Sequence, residues 1–94
     1  MINKWIEFTV EANSIEAFKA SLAAIETASK AEEGCVYYAA FQNADEETVF
    51  TVLECWASKE AFEAHRVATH IAKFKEDCGS VIVNKKALSL NPIQ

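Results

Sequence analysis

The chain has 94 residues, which is enough for one domain with one core and too few for two such domains. A composition that is 51% hydrophobic and 24% charged, with two glycines and one proline, predicts a folded chain and excludes general disorder. A net charge of -5 without a basic stripe argues against nucleic acid or an anionic membrane as a partner.

The N-terminal third of the chain predicts a strand followed by a long helix. Apolar and polar side chains alternate from Asn3 to Val10, which is the period of a β-strand. Asn13 stands where an N-cap is expected, and apolar residues then recur at spacings of three and four up to about Lys30. We therefore predict a strand and an amphipathic helix that Asn13 caps.

The middle of the chain predicts a β-hairpin. Gly34 ends the connection from the helix, and two runs with strand-like composition, Cys35 to Gln42 and Val49 to Trp56, flank a polar turn. Successive side chains on a strand point to opposite faces, so only one of Tyr37 and Tyr38 can reach a given pocket. The sequence leaves open which of the two does so.

The next segment predicts two short helices. Ser58 is placed to cap a helical region from Lys59 to Cys78. Phe62 and Ile71 would face opposite directions on one helix at about 100° per residue, so the apolar stripe changes sides within this region. We therefore expect a break at Val67 to Thr69.

Gly79 is a natural helix stop, and Val81 to Leu90 then predicts the last strand. The order β-α-β-β-α-β is the ferredoxin-like α+β arrangement, in which helices cover one face of a four-stranded antiparallel sheet. Residues 1–94 would form this single domain, with a core from about residue 3 to residue 90. Because the hairpin strands are apolar on both faces, we predict that a second subunit's sheet covers the open face, giving a homodimeric α/β barrel.

The cysteines and the N-terminus bear on location. Cys35, Cys55 and Cys78 are odd in number and lie far apart among apolar neighbours, which predicts buried free thiols. No apolar run is as long as a membrane span, and the N-terminus lacks the features of an export signal. We therefore expect a cytoplasmic protein without a membrane partner.

Several short motifs, taken together in order and spacing, resemble the antibiotic biosynthesis monooxygenase (ABM) family. They are Glu33-Gly34-Cys35, Tyr38, Glu54-Cys55-Trp56-Ala57-Ser58, Ala64-His65 and Thr69-His70. The resemblance extends from about Ile6 to Leu90. It implies a dimer of ferredoxin-like subunits, each with a pocket between sheet and helices, and for many members the cofactor-free oxygenation of quinols or hydroxylated polycyclic aromatics.

Other branches of this family degrade haem or process a phosphorylated autoinducer sugar derivative. The haem-degrading branch relies on an Asn in the first strand, a Trp in the second helix and a His near the end of that region. Ile6, His65 and Lys75 stand at these positions here, so the resemblance does not extend to that mechanism. Metal-binding and nucleotide-binding motifs are also missing, and we therefore expect no bound cofactor and no metal.

His65 and Glu54 are the candidate catalytic residues. His65 would lie on the inward side of the first short helix, where an imidazole could remove a proton from a phenolic or enolic hydroxyl. The alternative is a histidine that only hydrogen-bonds inside the core. Glu54 could orient His65 if its face of the strand meets the helices, and the alternative is a structural ion pair.

The other candidates are placed at the pocket. Ile6, Phe8 and Phe62 would supply apolar walls. Trp56 could stack an aromatic substrate, although core packing is the commoner role of such a residue. His70 lies at the predicted helix break, where a structural role is more expected than a catalytic one. On one continuous helix His65 and His70 would diverge, which argues against a metal held by the pair.

These observations lead to one functional hypothesis with two alternatives. The chain would be a monooxygenase that oxidises a quinol or a hydroxylated aromatic compound with O₂ and without a cofactor. The first alternative is an isomerase or lyase of a small keto or enol sugar derivative. The second is a barrel that binds a small ligand without turnover.

Overall fold

The computed structural model describes residues 1–94 and contains four strands and three α-helices. The strands are β1 (Ile2–Val10), β2 (Cys35–Gln42), β3 (Val49–Trp56) and β4 (Ile82–Leu90). The helices are α1 (Ile15–Lys30), α2 (Lys59–Arg66) and α3 (Thr69–Cys78). This is the ferredoxin-like α+β fold that the sequence predicted, with the second helical region broken in two at the expected place.

The four strands form one antiparallel sheet in the order β2-β3-β1-β4. Their register aligns residues in rows that cross the sheet. One row is Tyr38, Glu54, Lys4 and Ser89, and the next row on the opposite face is Ala39, Leu53, Trp5 and Leu88. Tyr38 and Glu54 are buried, whereas Leu88 is exposed, so the first row faces the helices and the second faces away from them.

An aromatic cluster anchors α1 and α3 on the sheet. Phe18 of α1 is fully buried, and its ring centroid lies 5.5 Å from that of Phe8, 5.1 Å from that of Phe50 and 5.7 Å from that of Phe74. Inclined aromatic pairs at such distances add to the free energy gained by burying their area. The cluster closes one end of the layer between sheet and helices.

The opposite face of the sheet has no helix over it. Four large apolar side chains there keep between 41% and 54% of their surface exposed, namely Tyr37, Phe41, Leu88 and Leu90. They lie on the two edge strands, β2 and β4, and the row that includes Leu53 and Trp5 connects the two edges. Exposed apolar surface of this kind usually marks an interaction surface. None of the helices has the length and apolar character required to cross a membrane.

Two details of the predicted element ends are wrong. Asn13 does not cap α1, because a 3-10 turn at Ala12–Ser14 precedes the helix and the Asn13 side chain instead accepts a hydrogen bond from the Ser14 hydroxyl at 3.3 Å. A second 3-10 turn, Gly79–Val81, delays the last strand to Ile82. The cap at Ser58 is confirmed, since its Oγ accepts from the Ala61 N–H at 3.1 Å.

The cysteines are free thiols, as the sequence predicted. Cys55 and Cys78 are buried, whereas Cys35 at the start of β2 is only half-buried.

Candidate functional site

A cavity of about 510 Å³ lies between the helix-facing side of the sheet and the helices. Ten of its 17 lining residues are hydrophobic, and its volume falls within the range of roughly 300–1,000 Å³ that is common for small-molecule sites. The lining includes five of the residues expected from the sequence: Ile6, Phe8, Glu54, Phe62 and His65. Of the two tyrosines, Tyr38 lines it and Tyr37 is on the other face.

The ring of His65 lies between two carboxylates. Nδ1 is 2.6 Å from Oε2 of Glu32, and Nε2 is 3.9 Å from Oε1 of Glu54. The first distance is a hydrogen bond and the second is too long to be one. An ionised Glu32 accepts from Nδ1–H, so the lone pair of the neutral ring is on Nε2, on the same side as Glu54 and the cavity. The contact that orients His65 is therefore made by Glu32. The sequence had suggested Glu54 for this role.

Glu54 is held by Trp56 on the same strand. The indole Nε1–H donates to Oε1 of Glu54 at 3.0 Å. Burial raises the pKa of Glu54, and the opposing effects of the Trp56 hydrogen bond and of the charges on His65 and Lys4 are smaller. Trp56 itself is fully buried and does not line the cavity, and its ring centroid lies 4.4 Å from that of His65. Trp56 thus contacts both candidate catalytic residues, Glu54 through its N–H and His65 through its ring, without lining the cavity.

His70 lies outside the main cavity and converges with His65 on Glu32. Its Nε2 is 2.8 Å from the same Oε2 of Glu32. The expectation that the two histidines diverge is wrong, because it assumed one continuous helix, whereas the chain leaves α2 at Val67 and enters α3 at Thr69. The donor atoms of Glu32, His65 and His70 lie within 4.8 Å of one another, so these three residues could hold a transition metal.

The segment between α1 and β2 fixes the position of α2 and of Glu32. Gly34 has a φ of +84°, and a Cβ on it would lie 2.5 Å from the Cβ of Ala61 in α2. The Gly34 carbonyl accepts from the Ala57 N–H at 2.8 Å, just before Ser58 caps α2. Only glycine allows both this backbone conformation and this close approach. The turn therefore brings α2 against the start of β2 and places Glu32 beside His65.

Tyr38 contributes to the cavity wall. Burial, together with the nearby charge of Glu54, raises the pKa of Tyr38 above its usual range. Its ring centroid lies 5.7 Å from that of His65. The hydroxyl thus stays protonated, and it lies beside the buried Ser29 of α1.

Sequence reasoning missed Glu32 and found the other central groups. Glu54 and His65 stand within regular elements, where alternation and the family motifs indicate their faces. Glu32 lies in a connection, and the only nearby signal in the sequence is the Glu33-Gly34 pair that follows it. A turn has no side-chain period from which the direction of a carboxylate could be inferred.

Comparison with known proteins gives a family and a fold. The family model described as antibiotic biosynthesis monooxygenase matches residues 1–77. A solved structure of a putative antibiotic biosynthesis monooxygenase from Nitrosomonas europaea is 20% identical, with both chains covered completely and a TM-score of 0.94. No curated protein matches the chain.

Two further solved structures are similar over almost the whole chain. One from Pseudomonas aeruginosa is 25% identical, with 99% of this chain and 94% of the other covered and a TM-score of 0.94. One from Mycobacterium tuberculosis is 23% identical, with 99% and 95% covered and a TM-score of 0.90. The structures from Nitrosomonas europaea and Mycobacterium tuberculosis are less than 25% identical to this chain, and their similarity establishes the fold alone.

Proposed function

The chain belongs to the antibiotic biosynthesis monooxygenase family, and on that premise we propose that it oxidises a quinol or a hydroxylated aromatic compound with O₂ and without a cofactor. The observation that carries this proposal is the environment of His65. Its Nδ1 is fixed by Glu32 at 2.6 Å, and its Nε2 is directed to an apolar cavity of about 510 Å³. A base held in this way can accept a proton from a hydroxyl of a ring bound against the apolar walls.

The reaction needs no electrons from outside the substrate. His65 takes the proton of one hydroxyl, which makes the ring a better electron donor to O₂. A bond forms between a ring carbon and one oxygen atom, the C–H bond at that carbon and the O–O bond break, and the second oxygen leaves as water. The quinol thus becomes a hydroxyquinone and supplies all four electrons that reduce O₂. His65 gives the proton that it had accepted to the oxygen atom that leaves as water. The apolar walls keep bulk water away from the intermediates.

Three other groups support this chemistry. Tyr38 adds an aromatic side chain to the wall beside His65. Glu54 lies on the Nε2 side of His65, 3.9 Å away, and its raised pKa suits a group that shares the proton. Ile6, Phe8 and Phe62 lie where the ring would pack.

The experiment is a product analysis under heavy-oxygen gas with a panel of quinols. We expect the wild-type protein to place one labelled oxygen atom in the product and one in water. Formation of hydrogen peroxide with an unlabelled quinone would show a simple oxidase instead. A His70→Gln variant is the matched control for His65→Ala, because His70 is the other imidazole on Glu32 but does not line the cavity. That variant should keep most of the activity, since Glu32 still reaches His65.

A second candidate function is isomerisation of a small keto or enol compound. It is favoured by the same pair of groups, since a buried carboxyl with a raised pKa beside a histidine can move a proton between two carbon atoms. Exchange of deuterium from solvent into a candidate ketose in the absence of O₂ would support it. A ligand that binds and is recovered unchanged would instead support a barrel without turnover.

The biological unit we propose is a homodimer joined through the open face of the sheet, in the cytoplasm. Support comes from Tyr37, Phe41, Leu88 and Leu90, each about half exposed on that face. The row Ala39, Leu53, Trp5 and Leu88 runs across all four strands and would lie at the centre of the contact. The three free cysteines suit a reducing compartment.

A further inference from the structure

The charged side chains around the cavity are mostly positive, whereas the net charge of the molecule is negative. The chain has 14 acidic and nine basic residues. Four of those nine line the cavity, namely Lys4, Arg66, Lys75 and Lys85, whereas Glu54 is the single carboxylate among the lining residues. A protein that is negative overall therefore has a positive cavity.

Two of the lysines lie against aromatic walls of the cavity. Lys4 on β1 and Lys85 on β4 are on the helix-facing side of the sheet. The Nζ of Lys4 is 5.0 Å from the ring centroid of Phe62, and the Nζ of Lys85 is 5.8 Å from that of Phe8. A cation–π contact holds the ammonium group beside the aromatic ring without neutralising its charge.

The three lysines are not neutralised by carboxylates either. None of them has a carboxylate oxygen within 4.0 Å, although Arg66 pairs with Glu63 at 3.3 Å. Lys4 donates to the uncharged Oγ of Ser89 at 2.6 Å. Lys4 is adjacent to Glu54 across β1 and β3, and its charge acts on that carboxyl, but one carboxyl cannot balance three lysines. The cavity mouth therefore holds positive charge that is available to a ligand.

We propose that these cations form a subsite for an anionic group and that the substrate is a hydroxylated aromatic compound with a carboxylate on its ring. This rests on the proposed oxygenase function, since it names the substrate class of the same cavity. The apolar walls take the ring, His65 meets a hydroxyl, and the lysines meet the carboxylate. Because none of these ammonium groups is paired with a carboxylate within 4.0 Å, an anion gains more in this cavity than an uncharged analogue of the same shape.

The test is calorimetric binding without O₂, which removes turnover from the measurement. Gentisate and hydroquinone differ only in the carboxylate, and a dihydroxynaphthoate and the matching dihydroxynaphthalene give a second pair of larger size. At low ionic strength we expect each carboxylate to bind about tenfold more tightly than its neutral partner, with a preference that falls as salt is added. The phosphate monoester of hydroquinone shows whether any anion binds equally well or the carboxylate is preferred.

The variants compare lysines on the two faces of β4. Lys4→Gln combined with Lys85→Gln should remove most of the preference for the carboxylate and leave the affinity for hydroquinone nearly unchanged. Lys86→Gln is the matched control for Lys85→Gln, because it removes the same charge one residue further along β4, opposite Glu7 and away from the cavity. It should keep the preference.

The outcomes separate this proposal from the proposed function. Equal affinities within each pair, a preference that survives in the double lysine variant, or no binding of any of the four compounds would overturn the anionic subsite. A carboxylate that binds tightly in a lysine-dependent way but is never oxygenated would overturn the oxygenase and leave the subsite standing. Oxygenation of neutral quinols without a preference for carboxylates would overturn the anionic subsite and leave the oxygenase standing.

Discussion

Glu32 accepts hydrogen bonds from two imidazoles through one carboxylate oxygen, at 2.6 Å from His65 and 2.8 Å from His70. This arrangement fixes the ring of His65 in one orientation, with Nε2 toward the cavity. Glu32 does not line the cavity, so it acts on a substrate only through His65. It is therefore a positioning residue, as is the third member of a hydrolase triad.

The first prediction separates this role from substrate binding. A Glu32→Gln variant keeps the size of the side chain but can present its amide N–H₂ to His65 and select the wrong tautomer. We expect kcat to fall by at least about a hundredfold and up to about 10⁴-fold, as when the triad carboxylate of a hydrolase is changed to the amide, with KM unchanged. Steady-state kinetics on the best quinol of the panel checks this. A rise in KM with unchanged kcat would place Glu32 at the substrate instead.

The second prediction concerns Glu54, whose pKa is raised chiefly by burial. A carboxyl with a raised pKa binds its proton more readily in the folded state, so the stability of the wild-type protein falls as pH rises from the unfolded to the folded pKa. Glu54→Gln removes the buried charge and can still accept from the Trp56 N–H. The variant should therefore unfold at a higher temperature than the wild type above neutral pH, and the difference should vanish as pH falls toward about 4.

Thermal unfolding over a pH series measures this difference. A variant that is less stable than the wild type at every pH would contradict the prediction, because the buried Glu54 carboxylate would then not be the group that lowers stability.

At the scale of elements, the periodic parts of the sequence determined most of the fold. The bounds of β2 and β3 follow from strand-like composition on either side of a polar turn. The break between α2 and α3 follows from the change of sides between Phe62 and Ile71. What the sequence could not supply is the geometry of the connections. One 3-10 turn replaces the predicted Asn13 cap, and the other precedes β4. These turns and the convergence of His65 and His70 depend on contacts between distant segments rather than on local period.

Gly34 gives a prediction at this scale, because one turn sets the place of α2. Gly34→Ala would put a methyl group 2.5 Å from the Cβ of Ala61 and force a non-glycine residue to a φ of +84°. We expect a loss of about 2 kcal/mol or more in the free energy of unfolding. Activity should fall as well, since α2 carries His65.

Gly79→Ala is the matched control for that variant. A Cβ on Gly79 has no atom within 4 Å, so the change should leave stability within roughly 0.5 kcal/mol of the wild type or raise it. Denaturant unfolding of both variants provides the comparison. Equal stabilities would show that the turn at Gly34 is more adaptable than its geometry indicates.

At the scale of the whole molecule, the two faces of the sheet differ in how far they are covered. One face packs on the helices and forms the cavity, and the other carries apolar side chains that remain about half exposed. The sequence pattern predicted both faces as apolar, which is why it led to a dimer. It could not predict the positive cavity, because Lys4, Arg66, Lys75 and Lys85 come from four different elements that only the fold brings together.

The prediction at this scale is a homodimer at micromolar concentration. Leu88→Glu places a charge in the row that crosses the open face and should weaken association by about 2–4 kcal/mol, giving a monomer. Val67→Glu is the control, since Val67 is 82% exposed in the break between α2 and α3 and away from that face. Sedimentation velocity distinguishes the species, and a wild-type monomer would contradict the dimer.

The measurement that tests the central claim most directly is oxygen uptake with a quinol panel, compared among wild-type protein, a His65→Ala variant and buffer. If His65 is the base in a cofactor-free oxygenase, wild-type uptake with at least one quinol should exceed that of the variant by about a hundredfold or more, a size typical of the loss of a general base. Equal rates in all three samples would contradict the account.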